Sequence, residues 1–90
     1  MDIQTFENVF DAIADTPAEA ANLKARSALL SAIGDRVNSW GLTQEAAAAR
    51  LGVTRPRLSD LLRGKISKFS LDALVNLATA AGLTLEVRAA

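Results

Sequence analysis

The sequence predicts an all-α fold, a compact helical bundle closed at its C-terminus by one short β-strand, in a single domain spanning 1–90. Three observations carry that prediction. Apolar residues recur at three- and four-residue steps through most of the chain. Residues that cap or stop helices fall between those runs. Only the last segment, 83–88, alternates apolar and polar side chains as a strand does.

Over 1–15, Ile3, Phe6, Val9, Phe10 and Ile13 share one face of a short amphipathic helix, with Glu7 and Asp11 pointing away. Thr16, Pro17 and Glu19 then form a cap residue, a first-turn proline and the third-position acid of a capping box. They open the longest helix, Pro17 to Trp40, whose stripe is Leu23, Leu30, Ile33, Val37 and Trp40, flanked by Arg26 and Leu29, with Gly41 as its left-handed stop. Periodicity assigns Trp40 to the core and not to base stacking.

Thr43 caps a short helix whose Ala46, Ala47, Ala48 and Ala49 allow close approach of a neighbour, and Gly52 ends it. After Val53 and Thr54 a third run turns Leu58, Leu61 and Leu62 inward and stops at Gly64. Ser70 caps a further helix with Leu71, Leu74, Leu77, Ala78 and Ala81 at helical spacing, ending at Gly82. In the final strand Leu83, Leu85 and Val87 alternate with Thr84, Glu86 and Arg88. One strand makes no sheet, so the expectation is pairing with the same strand of a second copy, giving a homodimer through Leu83, Leu85 and Val87. The alternative is a tail that folds back on its own helices or frays.

Composition narrows the chemistry. Half of the 90 residues are hydrophobic, and there is no Cys and no His. That removes disulfides, thiolate nucleophiles, Ser/His/Asp relays and the common zinc sites, so the expectation is no enzyme, no catalytic residues, no metal and no cofactor. A chain of this size hides only roughly 60 to 65% of its unfolded surface, which favours help from a partner. No stretch reaches the ~18 apolar residues of a membrane span and the N-terminus is acidic, so no membrane partner and a cytoplasmic location are expected.

Net charge is zero, with ten basic and ten acidic side chains, yet the charges are segregated. From Met1 to Asn22 there are five acids (Asp2, Glu7, Asp11, Asp15, Glu19) and no base. From Leu23 to Lys68 nine bases face three acids, Asp35, Glu45 and Asp60. Such asymmetry marks either a nucleic-acid face beside a separate acidic surface, or ordinary solvated helix faces.

Within the basic part, Leu42 to Lys65 reads LTQEAAAARLGVTRPRLSDLLRGK. Two short helices joined by a tight Gly52-Val53-Thr54 turn, small residues on the first and leucines on the second, form a helix-turn-helix arrangement. These residues closely resemble the Cro/repressor-like (XRE) helix-turn-helix family, through Leu-Thr-Gln at the first helix, Ala in its middle, Leu-Gly-Val at the turn and the terminal Gly-Lys. The resemblance covers Ser31 to Gly82 and implies a compact, lambda-repressor-like bundle of about five helices that binds double-stranded operator DNA as a dimer. A narrower likeness runs through PAEAANLKARSALL, SDLLRGKISKFSLDALVNLA and LTLEVR. Those pieces resemble the HigA-type antitoxin branch, which implies a transcriptional repressor that silences a RelE/HigB-like mRNA nuclease toxin and represses its own operon, in the nucleoid. A stand-alone XRE regulator without a toxin is the alternative; a protein-interaction module on the same fold without DNA is a third.

In such an arrangement the start of the second helix meets base edges in the major groove while surrounding polar groups hold phosphates. Arg55 and Arg57 are placed for base reading, an Arg fork matching the O6 and N7 of guanine. The resemblance gives Gln44 a phosphate contact that steadies the recognition helix. Thr43 and Thr54 stand at helix starts, where phosphate is favoured. Ser59 and Arg63 lie further along the exposed side, and Lys65 and Lys68 in the following loop are phosphate candidates. Pro56 departs from the family pattern. It has no donor for a base edge, and it disfavours helical angles at Arg55, which either leaves Arg55 at a base or makes it the cap, swung toward the backbone, with Pro56 the first helical residue. Phe6, Val9, Phe10 and Ile13 are the candidate toxin-docking face, apolar and set among acids that complement a basic toxin.

Overall fold

In the computed structural model, which describes residues 16–89, the first element is α1 (Pro17–Ser39). Thr16 fixes its start: the backbone is extended there and the hydroxyl accepts from the Glu19 N–H at 3.1 Å. Pro17 sits in the first turn, where a missing N–H loses no helical bond. The segment carrying Phe6, Val9, Phe10 and Ile13, the expected toxin-docking face, lies outside the described residues. The helix stops one residue short of the predicted Trp40, which becomes its C-cap.

Three shorter helices follow, α2 (Gln44–Leu51), α3 (Arg55–Leu62) and α4 (Leu71–Ala80), with a 3-10 turn over Ile66–Lys68 between the last two. Each helix starts the same way. The hydroxyls of Thr43, Thr54 and Ser70 accept from the N–H groups of Ala46, Arg57 and Ala73 at 3.1–3.3 Å. Such caps satisfy donors that the helix itself leaves open, and each is worth about 1 kcal/mol.

The turn between α2 and α3 is tight because Gly52 adopts φ +76°, a conformation costly for a residue with a Cβ. Its N–H bonds to the Ala49 carbonyl and the Val53 N–H to the Ala48 carbonyl, which closes the last turn of α2 and redirects the chain into Thr54. The helix-turn-helix expected from Leu42 to Lys65 is therefore present as α2 packed on α3.

α1 supports the rest. It packs against α4 and touches α3 and the 3-10 turn, while α2 also reaches α4. Ile33, Leu58, Leu61, Phe69 and Leu74 are essentially sealed from solvent at the centre. Burial of each such side chain contributes roughly 1.5–3 kcal/mol. Ala47 and Ala48 are buried as well, so the small residues of α2 let it approach closely. Among the described residues no polar or charged side chain is buried.

The expected C-terminal strand does not form within the single chain. Residues 83–89 contain no β-strand, and the described chain is all-helical. A ladder needs a second strand, and the first residue of the tail is already committed: the Leu83 N–H bonds to the Ala78 carbonyl at 2.9 Å and, with Gly82 at φ +80°, completes the end of α4. Leu83 packs against the bundle's own core, whereas Leu85 and Val87 are exposed, Val87 at 92%. Leu83 thus belongs to the fold, and only Leu85 and Val87 remain as unpartnered apolar groups on the described tail.

Candidate nucleic-acid interface

α3 begins at Arg55 because Thr54, not Arg55, is the cap. The alternative in which Pro56 expels Arg55 from the helix is excluded: Pro56 occupies the second helical position, where its absent N–H again has no helical acceptor to miss. Arg55 is therefore the first residue of α3, exposed, and among the described residues its side chain makes no hydrogen bond or ion pair.

Arg57, unlike Arg55, has partners within the chain. Its guanidinium lies 4.0 Å from the centroid of the Phe69 ring and its Nη1 donates to the Lys68 carbonyl at 2.7 Å. The side chain is half-buried. It bridges α3 to the loop ahead of α4 instead of standing free beside Arg55.

Around this bridge the other candidates gather. Asp60 on α3 takes Lys65 on one carboxylate oxygen at 3.5 Å and Lys68 on the other at 3.7 Å. The two loop lysines are thus brought together next to the recognition helix. Both stay at least two-fifths exposed, so each ammonium keeps donors for a phosphate. Ser59 is half-buried and Arg63 exposed at the end of α3, and among the described residues neither side chain is paired.

Thr43 and Gln44 form the start of α2. Gln44 is exposed as the first helical residue. The Thr43 and Thr54 hydroxyls act as acceptors for their own helices, which leaves each hydroxyl proton available to donate to a phosphate oxygen. No described side-chain hydrogen bond joins these residues to the Asp60 cluster, so the candidates fall into two groups: two helix starts, and one lysine-bearing loop.

Two features escaped the sequence reading. Arg26 on α1 donates from Nη1 to the Ile66 and Phe69 carbonyls at 3.2 and 3.3 Å, and from Nε to Asn22 at 2.6 Å. Phe69, a single aromatic outside any helical period, is 1% exposed and forms the floor of the loop. Elsewhere Trp40 packs on the core, with the Arg50 guanidinium 4.1 Å from its ring centroid, which keeps the indole structural.

An apolar groove of about 530 Å³ lies between α1, α4 and the tail, lined by Ala28, Leu29, Val75, Ala78, Leu83 and Leu85 among others. Among the described residues no helix is long and apolar enough to cross a membrane, and no group of His, Cys, Asp or Glu is arranged to hold a metal ion.

A protein-family model described as a helix-turn-helix domain matches residues 12–90. No curated protein matches the chain.

Proposed function

The chain belongs to the helix-turn-helix domain family, and from that premise we propose that it is a sequence-specific, DNA-binding transcriptional repressor and not an enzyme. The observation that carries this reading is the recognition helix: α3, capped by Thr54 and packed on α2, presents at its first position an exposed Arg55 that is unpaired among the described residues. A guanidinium at the start of a groove-entering helix suits guanine, and the Lys65/Lys68 loop beside it suits the flanking phosphates.

The repressor works as a homodimer on an inverted-repeat operator, with recognition helices roughly 34 to 36 Å apart. Support comes from the apolar groove beside exposed Leu85 and Val87, which offers a self-complementary surface without a strand ladder. In the finer reading it is the HigA-type antitoxin of a toxin–antitoxin pair, in the nucleoid-bearing cytoplasm, a reading that rests on the likeness of PAEAANLKARSALL, SDLLRGKISKFSLDALVNLA and LTLEVR to that branch; the acidic, apolar pattern of the N-terminus makes Phe6, Val9, Phe10 and Ile13 the face for a basic RelE/HigB-like nuclease.

Titration of the purified protein against duplexes from its own upstream region, at several salt concentrations, tests the core of the reading. Binding should be selective, and log affinity should fall linearly with log salt. Affinity that ignores salt, or that ignores sequence, overturns it. Co-purification with the product of the adjacent reading frame separates the antitoxin from a stand-alone regulator.

A further inference from the structure

We propose that Arg57 and Arg26 are positioning residues, which lock the Lys65–Lys68 loop against the recognition helix so that Arg57 serves DNA affinity without reading a base. This rests on the DNA-binding reading above.

The loop cannot hold itself. Its only regular piece is a single 3-10 turn, Ile66–Lys68, with no side-chain cap and bonds from Lys68 N–H to the Lys65 carbonyl and from Phe69 N–H to the Ile66 carbonyl. Short 3-10 turns have poor hydrogen-bond geometry. Ile66 and Phe69 anchor the turn in the core and the Lys65 N–H bonds to the Asp60 carbonyl, and its remaining ties come from two arginines. Arg26 reaches from α1 to the Ile66 and Phe69 carbonyls, and Arg57 reaches from α3 to the Lys68 carbonyl. Three carbonyls within four residues therefore accept from guanidinium groups carried by two different helices.

Arg57 is doubly engaged. Its guanidinium lies over Phe69, itself sealed in the core, while one nitrogen donates to the loop at 2.7 Å. A guanidinium reads guanine by laying two parallel N–H bonds on O6 and N7. A swing of Arg57 onto a base through its Nη1 edge would give up the Lys68 carbonyl and release the loop that bears the candidate phosphate-binding lysines. Arg55, unpaired among the described residues, has no such commitment. The division of labour is thus read from geometry: Arg55 stays exposed for the groove, the half-buried Arg57 is engaged with the loop, and Arg26 secures the same loop from α1.

The test compares R57A, R57M, R57K and R26A with the natural protein in two measurements. The first is amide hydrogen exchange of the free protein. Exchange at Lys68 and Phe69 should accelerate in R57A and R26A, with the amides of α2 unchanged, and R57K should recover part of the protection by keeping a cation over Phe69. The second is binding to an upstream duplex and to a set of duplexes each altered at one base pair. R57A and R26A should weaken every duplex by a common factor, on the order of tenfold if both lysines release their phosphates, and lower the salt slope by about 0.9 for each phosphate released. The ranking of the duplexes should stay the same.

If R57A flattens the preference at one base pair while R26A does not, Arg57 reads a base and the proposal is overturned. Unchanged exchange at Lys68 and Phe69 in both variants overturns it as well. R57M, which keeps an apolar cover on Phe69, replaces R57A if the latter unfolds. If the natural protein binds none of the duplexes, the DNA-binding reading fails, and the exchange arm still decides whether the two arginines hold the loop.

Discussion

Asp60 Oδ2 lies 3.7 Å from Lys68 Nζ, so a carboxylate on α3 restrains one of the cations proposed to hold phosphate. Its other oxygen holds Lys65. The acid therefore both repels a DNA backbone and competes for the groups that would bind it. Asp60→Asn should raise affinity for all duplexes several-fold at low salt, with the gain shrinking as salt rises. Fold stability should change by no more than about 1 kcal/mol, since partly exposed ion pairs contribute little. Anisotropy titrations at two salt concentrations check the first, and urea unfolding the second. A loss of affinity in the Asn variant would show instead that Asp60 orders the loop.

Arg55 leads to a complementary expectation. Its side chain is exposed at the first position of α3 and, among the described residues, supports no other group. Arg55→Ala should leave stability within about 0.5 kcal/mol of the natural protein. It should remove about 1–3 kcal/mol of discrimination at one base pair in a panel of singly altered duplexes. A uniform loss across the panel would place Arg55 on a phosphate.

Leu58 links the reading helix to the bundle. It is fully buried, against the same core as Ile33 and Leu74. Leu58→Ala removes buried carbon from a close-packed centre and should cost about 2–5 kcal/mol. Native domains hold only about 5–15 kcal/mol in all, so the variant should melt far lower and lose DNA binding through unfolding, not through altered preference. Thermal unfolding by circular dichroism measures it.

These cases show what the sequence carries and what it does not. Thr16, Thr43, Thr54 and Ser70 were legible as helix starts because a cap is a contact between residues three apart. Leu58, Leu61 and Leu74 were legible as core through helical spacing. Phe69 was not, because a lone aromatic outside a helix has no period to betray it. Arg57 and Arg26 were not, because the carbonyls they hold lie 11 and 40 or more residues away and become neighbours only after α1, α3 and the loop have packed. The tail is ambiguous on other grounds: alternation of Leu83, Leu85 and Val87 is the same whether or not a second strand exists, and within the chain the Leu83 N–H closes the glycine-ended last turn of α4 on the Ala78 carbonyl.

That tail supplies the last prediction. Leu83 is anchored in its own bundle, yet Leu85 is 54% and Val87 92% exposed beside an apolar groove formed by α1 and α4. In the proposed homodimer a two-fold pairing through this face would bury the groove and the tail of each copy against the other, since an isologous contact repeats every residue pair. A charge placed at Leu85 or Val87 would be carried into that apolar contact unpaired, while in a lone chain it would stay in water. Leu85→Asp and Val87→Asp should therefore shift sedimentation toward the single chain. They should also abolish the rise of melting temperature with protein concentration expected of a dimer, leaving the melting of the dilute chain nearly unchanged. Binding to a single half-site should survive, and the gain from a second half-site should vanish. If the Asp variants sediment as the natural protein does, the copies meet elsewhere, and the groove beside α1 is not their contact.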